Sequence, residues 1–331
     1  MADKVIKEHY VPQRYLKHFS SGNKFFVYDK ERKQQRPGNI RDYACERYFY
    51  DVDFDTLKEE VLEEHPEFVF ESEMEEVIRN IDKQHIEHWF GQNVETWLFN
   101  PIDRIITSYM MCNPQKIDSV SVLTDMEMNY LSLYMATQVV RSKEFRESMS
   151  EIHERLPLLL MKKRAKAQEE KNAIDSIELK IKSENHKKLL HAQFLMDPDL
   201  MADFAIPFRE KIWMIGCNQT DISFFASDNP IVKFGHQGKQ GFNSKGIEIL
   251  FPLSTKIILI LKDPETFWYE NEFHNHFVKV TPDEVEFYNS LQVQQSYRYI
   301  FDKVGDFALV HNMMKRNPAL SDIKHKRFLM G

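Results

Sequence analysis

Glycine, cysteine and long apolar runs are all scarce in this chain. Only 10 of its 331 residues are glycine, which argues against a glycine-rich phosphate-binding loop and against a sheet with many tight turns. Neither a Walker-type nor a dinucleotide-binding fingerprint is present.

The three cysteines, Cys45, Cys112 and Cys217, lie far apart, as is typical of reduced thiols rather than of a disulfide framework or a zinc knuckle. No run approaches the roughly 20 apolar residues that span a bilayer, and no apolar signal segment is apparent. We therefore expect a soluble, cytoplasmic protein with no membrane partner.

Positive charge is also in deficit. The formal net charge is −7, whereas a nucleic-acid-binding protein usually carries a basic surplus. A basic groove can therefore exist only locally, and neither a helix-turn-helix spacing nor a basic arm indicates sequence-specific DNA binding. Apolar residues make up 42% and charged residues 29% of the chain, a mixture typical of soluble globular proteins. Length and composition together favour a single large domain over residues 1–331, with an aromatic-rich core because 25 residues are phenylalanine.

The hydrophobic pattern predicts an α+β fold, with a helical middle and a small N-terminal β-hairpin packed on a C-terminal, mostly antiparallel sheet. A first helix begins near Pro12, where the missing amide hydrogen costs nothing. A hairpin follows over residues 25–40. A long helix then extends from Thr124, where Glu127 completes a capping box, to about His153.

The C-terminal half has a different character. Short apolar runs typical of strands occupy residues 212–215, 224–226, 247–250 and 257–261. A helical pattern returns over residues 282–303, and residues 307–310 are predicted to form a last strand. Between the two halves, residues 160–190 are dominated by Lys, Glu and Gln. We expect a charged helical arm or hairpin there, and a mobile arm is the alternative.

One face of the predicted long helix mixes polar and aromatic side chains. Gln138 and Arg141 lie on the same face as Tyr134 and Phe145. An arginine in such surroundings requires an anion, which is either an internal carboxylate or a bound phosphate or carboxylate. Arg141 is therefore either a ligand-binding residue or part of an ion pair that fixes the helix packing.

Further polar positions have both a structural and a functional interpretation. Asp228 and Asn229 follow a predicted strand and precede a proline, which is an ordinary turn starter or a carboxylate presented at a strand end. Glu46 can cap a backbone, pair with Arg141 or ligate a metal. His9 can act as a general base or a ligand, and the alternative is a helix cap or a partly buried ring.

Some pairs of side chains have the spacing of metal ligands. They are Glu73 and Glu76, His85 and His88, and His274 and His276. Paired carboxylates can hold a divalent cation and His-x-x-His a transition metal. Helix surfaces supply such spacings by chance, so we expect solvated faces.

These polar positions occur within a combination of motifs. The motifs are His9-Tyr10-Val11-Pro12-Gln13-x-Tyr15-Leu16-x-x-Phe19, Glu46-Arg47-x-Phe49-Tyr50, Gln138-x-x-Arg141, Ser227-Asp228-Asn229-Pro230 and Phe251-Pro252-Leu253-Ser254. The combination resembles the microbial family catalogued as domain of unknown function 4238, over most of the chain. The resemblance implies no established activity. It implies that the family's polar motif positions are His9, Glu46, Gln138, Arg141, Asp228 and Asn229. Family members typically continue Gln-x-x-Arg with Thr-Pro, where this chain has Ser142 and Lys143.

This residue set suits phosphate chemistry, so our first hypothesis is a hydrolase that acts on phosphodiester or nucleotide substrates. It would be a metal-dependent nuclease or phosphodiesterase, in a setting such as stress or phage defence. Glu46 and Asp228 would hold Mg²⁺ or Mn²⁺, and His9 would be a base or a ligand. Arg141 would bind the phosphate. The groups that orient the substrate would be Gln138 and Asn229.

The second hypothesis is a non-enzymatic binding or regulatory module. The same polar residues would form a buried network that ties the N-terminal segment to the C-terminal strands. Residues 162–188 would then face a protein partner. An enzyme predicts that these side chains converge on an open pocket, whereas the module predicts that they are mutually paired and sealed.

Overall fold

The computed structural model describes residues 6–72, 75–76, 84–112 and 121–327. Its strands are β1 (Lys7–His9), β2 (Lys24–Asp29), β3 (Gln34–Asn39), β4 (Cys45–Arg47), β5 (Ile212–Asn218), β6 (Ala226–Ser227), β7 (Val232–Gly235), β8 (Ile247–Pro252), β9 (Ile257–Lys262), β10 (His276–Val280) and β11 (Tyr299–Asp302).

Helices dominate the middle of the chain. The α-helices are α1 (Gln13–Leu16), α2 (Phe54–Glu64), α3 (His85–Trp89), α4 (Asn100–Met111), α5 (Asp125–Arg141), α6 (Lys143–Arg164), α7 (Gln168–Asp175), α8 (Glu184–Met196), α9 (Pro198–Arg209), α10 (Pro282–Gln295) and α11 (Ala308–Arg316). A π-helix over Phe90–Leu98 continues α3. Short 3₁₀ helices occupy Lys17–Phe19, Ile40–Asp42, Trp268–Phe273 and Pro318–Ser321. In the part of the chain that is described, no helix combines the length and the apolar character that crossing a membrane requires.

The strands form three sheets, and the expected α+β fold is confirmed. The largest has the order β10-β5-β9-β8-β7, in which only the β10–β5 pair is parallel. The predicted N-terminal hairpin, β2 and β3, is present. It joins two C-terminal strands in an antiparallel sheet of order β3-β2-β11-β6. A short ladder of β1 with β4 completes the set. The β2–β11 pair therefore joins the N-terminal hairpin to the C-terminal part of the chain through backbone hydrogen bonds.

The five-stranded sheet is covered on both faces. Trp213, Ile215 and Cys217 of β5 belong to a core cluster that also contains side chains of α5 and α9. The alternate residues Ile212 and Met214 pack with side chains of α10 on the opposite face. This alternation explains why β5 is apolar at nearly every position, because a strand buried on both faces has no polar side.

Three sequence-based expectations about helices and strands need correction. The capping box of Thr124 and Glu127 is confirmed, but the helix that it begins ends at Arg141 rather than near His153. Ser142 is extended, and its side chain accepts a hydrogen bond from the Phe145 amide, so it caps a second helix, α6. The strand predicted over residues 307–310 is wrong, because those residues begin α11. The helical pattern over 282–303 also ends early, at Gln295, and β11 follows.

The charged segment around residues 160–190 is helical and polar in its contacts. It comprises the end of α6, α7 and the first part of α8. Lys162 forms an ion pair with Asp175, and the Ile181 amide donates to Glu154. These contacts hold α7 and the following loop against α6.

Candidate functional site

Two side chains on consecutive turns of α5 hold the N-terminal strand. The Gln138 Nε2 donates to the carbonyl of Tyr10 at 2.9 Å, and the Arg141 Nη2 donates to the carbonyl of His9. Both side chains are almost fully buried. The Tyr50 hydroxyl in turn donates to the Arg141 carbonyl at 3.2 Å. Gln138 and Arg141 are thus engaged with backbone rather than presented to a ligand.

The charge of Arg141 is compensated inside the protein. Its Nη1 lies 3.3 Å from the Glu95 Oε1, and its guanidinium lies 4.0 Å from the ring centre of Phe90. Burial alone would lower the pKa of Arg141, but Tyr50, Glu95 and Glu87 outweigh burial and raise it. The internal ion pair, one of the two interpretations of the sequence, is therefore the arrangement found.

The His9 ring is buried next to this arginine. Burial and the charge of Arg141 lower the pKa of His9 to about 4, and a hydrogen bond with the Ile40 backbone partly opposes that shift. The ring is therefore neutral at neutral pH. Its Nε2 has no hydrogen-bond partner among the described residues. His9 lies opposite Cys45 in the β1–β4 ladder.

A buried carboxyl cluster lies on the other side of β1, and it was not predicted. Glu8 is fully buried and accepts a hydrogen bond from the Tyr50 amide at 2.6 Å. Burial and a hydrogen bond with Asp51 raise the pKa of Glu8 to about 8. Burial likewise raises the pKa of Glu87 to about 7, although Arg141 opposes the shift. The alternation of Glu8 with His9 along β1 is the one sequence signal that could have indicated this cluster.

Asp228 directly follows β6, and its side chain accepts hydrogen bonds at the start of β11; this meeting point is here called the junction. Asp228 is fully buried, and its Oδ2 accepts from the amides of Arg298 and Tyr299, each at 2.8 Å. Burial raises the pKa of Asp228 to about 6, against the effect of these hydrogen bonds and of the Lys30 charge. Its Oδ1 has no partner among the described residues. The neighbouring Asn229 is half-buried and donates to the Gln295 carbonyl.

Glu46 lies near the same junction, at the surface. It forms an ion pair with Lys143, whose ammonium also lies 4.9 Å from the ring centre of Tyr297. The charges of Asp228 and Glu46 both act on the buried hydroxyl of Tyr10, whose pKa is raised chiefly by burial. Tyr10 therefore lies near both carboxylates, and the carbonyl of the residue before it, His9, accepts from Arg141.

His9, Gln138 and Arg141 thus come together at β1, and the charges of Glu46 and Asp228 act on Tyr10, the residue that follows β1. Asn229 bonds instead to the end of α10. In the described ranges, no group of three or more histidine, cysteine, aspartate or glutamate side chains is placed to hold a metal ion. Asp228 accepts from two amides and Glu46 is paired with a lysine, so a Mg²⁺ or Mn²⁺ ion there would require further oxygen ligands. The metal site at Glu46 and Asp228 stays a prediction.

A cavity of about 1160 Å³ lies beside this junction. Of the six predicted residues, Asn229 alone lines it. The walls come from the α5–α6 junction, β7 and its following loop, α10, α11 and the C-terminal residues. The apolar part includes Phe145, Met149, Phe204, Ile231 and Phe242. The charged part includes four cations, Lys233, Arg316, Lys326 and Arg327, and Glu144 is the one carboxylate among the described lining residues.

Lys233 is the cation that β7 places in this cavity. Its backbone is fixed by Gln295, whose side chain accepts from the Lys233 amide at 3.1 Å and donates to its carbonyl at 2.7 Å. Its ammonium lies 4.2 Å from the ring centre of Phe242. Burial lowers the pKa of Lys233, and no ion pair of its ammonium is found with the described residues. Among the described residues, Lys233 therefore has no carboxylate partner.

The weaker metal-ligand pairs have structural surroundings or lie on the surface. His274 accepts a hydrogen bond from the Trp213 amide at 3.2 Å, and the ring of His276 contacts the His274 carbonyl at 2.7 Å. His85 and His88 are exposed on α3. Glu73 lies outside the described residues, so its pairing with Glu76 stays a prediction.

Comparison with known proteins gives a family and nothing finer. The family model described as "Protein of unknown function (DUF4238)" matches residues 7–306. No curated protein and no solved structure matches the chain. The match contains all six motif positions and most of the cavity wall, and it ends before α11.

Proposed function

The chain belongs to the DUF4238 family, whose function is unknown, and we propose that it binds a phosphate-bearing ligand of the nucleotide or phosphodiester class in the cavity beside Lys233. Binding is the primary function in this proposal, as in the second hypothesis drawn from the sequence. Hydrolysis of the bound ligand is the second candidate.

The observation that carries the proposal is the isolated charge of Lys233. A buried cation is costly unless an anion or several hydrogen bonds compensate it. Lys233 faces a cavity, its ammonium contacts the ring of Phe242, and burial is the one cause of its lowered pKa. An anionic group of a ligand would supply the missing counter-charge. The cation–π contact holds the side chain in place until then.

Phosphate is favoured by the number of cations. Arg316 and Lys326 are exposed in the lining and form no ion pair with a described residue, whereas Arg327 is paired with Glu144. The chain as a whole is acidic, so this surplus is local and would attract an anion of more than one charge. The apolar wall that includes Phe145 and Ile231 would contact an organic group such as a base. The volume is ample for a nucleotide, because ligand pockets typically measure about 300–1,000 Å³.

Binding is preferred to catalysis because of what the motif residues do. Gln138 and Arg141 hold the backbone at the end of β1 and just after it, and Asp228 holds the two amides at the start of β11. These bonds to backbone favour a structural role, although the His9 Nε2 and the Asp228 Oδ1 have no partner among the described residues. In this proposal the network fixes the N-terminal segment against the walls of the cavity, and the cavity binds the ligand.

Hydrolysis rests on one specific observation. Asp228 directly precedes Asn229, which lines the cavity. The pKa of Asp228, about 6, suits a group that accepts a proton near neutral pH. Water would attack the phosphorus of a phosphodiester, one P–O bond would break, and a phosphomonoester and an alcohol would result. A divalent metal on Asp228 and Glu46 belongs to this second candidate.

Titration calorimetry with adenosine 5′-diphosphate, inorganic pyrophosphate and a deoxydinucleotide tests the proposal. We expect at least one probe to bind, and Lys233→Met to weaken that binding by about tenfold or more, the effect of losing a charge-assisted hydrogen bond. Lys239→Met is the matched control, because Lys239 is exposed on the following loop and does not line the cavity. Equal weakening in both variants, or no binding of any probe, would refute the proposal.

A separate assay decides between binding and hydrolysis. The same probes are incubated with wild type and Asp228→Asn, with added Mg²⁺, with Mn²⁺ and with a chelator. Turnover that Asp228→Asn abolishes at unchanged affinity would establish the hydrolase. Binding without turnover in any condition would leave a binding protein.

A further inference from the structure

The C-terminal segment of residues 318–327, here called the strap, forms part of the cavity wall. Its first residues are a 3₁₀ helix, Pro318–Ser321. Leu320 and the three residues from His325 to Arg327 line the cavity. The family match ends at residue 306, so the strap lies outside it, whereas Lys233 and Glu144 lie within it. The cavity is thus closed on one side by a segment that the family match does not include.

Arg327 fastens the strap to α6. Its Nε donates to the Glu144 Oε1 at 2.9 Å, and its amide donates to the Glu151 Oε2 at 2.7 Å. Its side chain is 9% exposed, and its guanidinium lies 5.4 Å from the ring centre of Tyr297. Two further bonds, to the carbonyls of Ile323 and His325, fold the strap onto this one side chain.

Leu320 packs against a core cluster at the start of the strap, but the segment between Leu320 and Arg327 is held weakly. The residues from Asp322 to Lys326 are mostly exposed, and their side chains bury little apolar surface. Asp322 accepts from the Lys324 amide within the strap itself. A segment with few buried apolar contacts opens locally at low free-energy cost. Arg327 is therefore the contact that holds the last residues of the strap on α6.

We propose that the strap controls access to Lys233, with the Arg327–Glu144 pair as its latch. Opening of the latch exposes the cavity to a phosphate-bearing ligand. Opening breaks the ion pair between Arg327 and Glu144, and closure over the bound ligand forms it again. The proposal concerns regulation of the cavity named above and rests on its function as a ligand site, but its test needs no ligand.

The test measures access to the Lys233 amine directly. Trinitrobenzenesulfonate, an anionic reagent for unprotonated amines, is added to the full chain, and modification of each lysine is followed by peptide mass spectrometry. Lys279 is exposed on β10 and serves as the internal reference. We expect Arg327→Gln to raise the labelling rate of Lys233 about fivefold relative to Lys279, the factor that corresponds to one partly buried ion pair.

A matched variant separates the latch from a simple change of charge. Lys324→Gln removes one positive charge from the same strap, at an exposed position that does not line the cavity. It should leave the labelling of Lys233 within about twofold of wild type. Glu144→Gln, which removes the other half of the latch, should act like Arg327→Gln. Truncation after Asn317 keeps α11 and should give the largest rate.

The outcomes are distinct. Equal Lys233 labelling in wild type, Arg327→Gln and the truncated chain would overturn the strap proposal. Faster labelling in those variants, with no protection by any phosphate probe, would support the strap and refute the proposed ligand. Thermal melting of each variant identifies a chain that has lost its fold.

Discussion

The guanidinium of Arg141 donates to the main-chain carbonyl of His9, 132 residues earlier in the chain. One turn before it, Gln138 donates to the carbonyl of the next residue of that segment. Two side chains of α5 thus hold the backbone of two successive residues, at the end of β1 and just after it. Because the groups are buried, loss of either leaves an unsatisfied carbonyl, which is costly.

Arg141→Met should therefore lower the free energy of unfolding by about 3–5 kcal/mol, since it also leaves the Glu95 carboxylate without its partner. Gln138→Leu, which removes a neutral donor of similar size, should cost about 1–3 kcal/mol. Urea denaturation of both variants measures these losses. Wild-type stability with abolished ligand binding would instead place Arg141 in the binding machinery.

Glu8→Gln should change how stability depends on pH. The folded-state pKa of Glu8 is raised to about 8 from 4.5, so its contribution is fully present below pH 4.5 and is lost as the pH rises through 8. Glutamine keeps the acceptor for the Tyr50 amide but does not ionise. The variant should match wild type within about 1 kcal/mol at pH 5 and exceed it by about 2–4 kcal/mol at pH 8.

Urea denaturation at the two pH values checks the Glu8 prediction, with wild type as the reference at each. A difference between variant and wild type that is the same at pH 5 and pH 8 would show that Glu8 is ionised in the folded protein throughout this range.

Lys233→Met should stabilise the ligand-free protein. The substitution removes a partly buried cation without a described counter-charge and keeps the apolar stem next to Phe242, so we expect a gain of up to about 1 kcal/mol. The same variant should lose affinity for the phosphate probe. Such opposite effects on stability and binding are typical of functional residues. Thermal melting with and without the probe measures both, and a destabilised variant would indicate an internal partner for Lys233.

The Glu46–Lys143 pair should contribute little to stability. The two side chains are 41% and 20% exposed, and partly exposed ion pairs are worth about 1 kcal/mol or less. A double-mutant cycle with Glu46→Gln and Lys143→Met should give a coupling energy in that range. If Glu46 is a metal ligand, Mn²⁺ should raise the melting temperature of wild type and not that of Glu46→Gln.

The part of the site nearest to α5 could be predicted from the sequence, because helical periodicity places Gln138 and Arg141 on one apolar face. Their partner could not, since a backbone carbonyl leaves no trace in residue identity. The cavity could not be predicted from the sequence either, because its walls come from segments that are far apart in the chain, between residues 139 and 327. Lys233 lies on an edge strand and resembles any solvated lysine until Phe242 and Gln295 are placed around it.

The misassigned elements have equally local causes. Phe307 and the three residues after it form an apolar run that fits a strand as well as the first turn of a helix. The basic pair Lys315 and Arg316 at the end of α11 was the signal for a helix. The break after Arg141 depended on Ser142, a residue that caps a helix as readily as it continues one.

Protection of Lys233 from trinitrobenzenesulfonate by adenosine 5′-diphosphate, followed by peptide mass spectrometry, tests the central claim most directly. If the cavity binds a phosphate-bearing ligand through this ammonium, labelling of Lys233 should fall at least about tenfold at saturating nucleotide, while labelling of Lys279 stays constant. Equal labelling of Lys233 with and without nucleotide, pyrophosphate and the deoxydinucleotide would contradict the account.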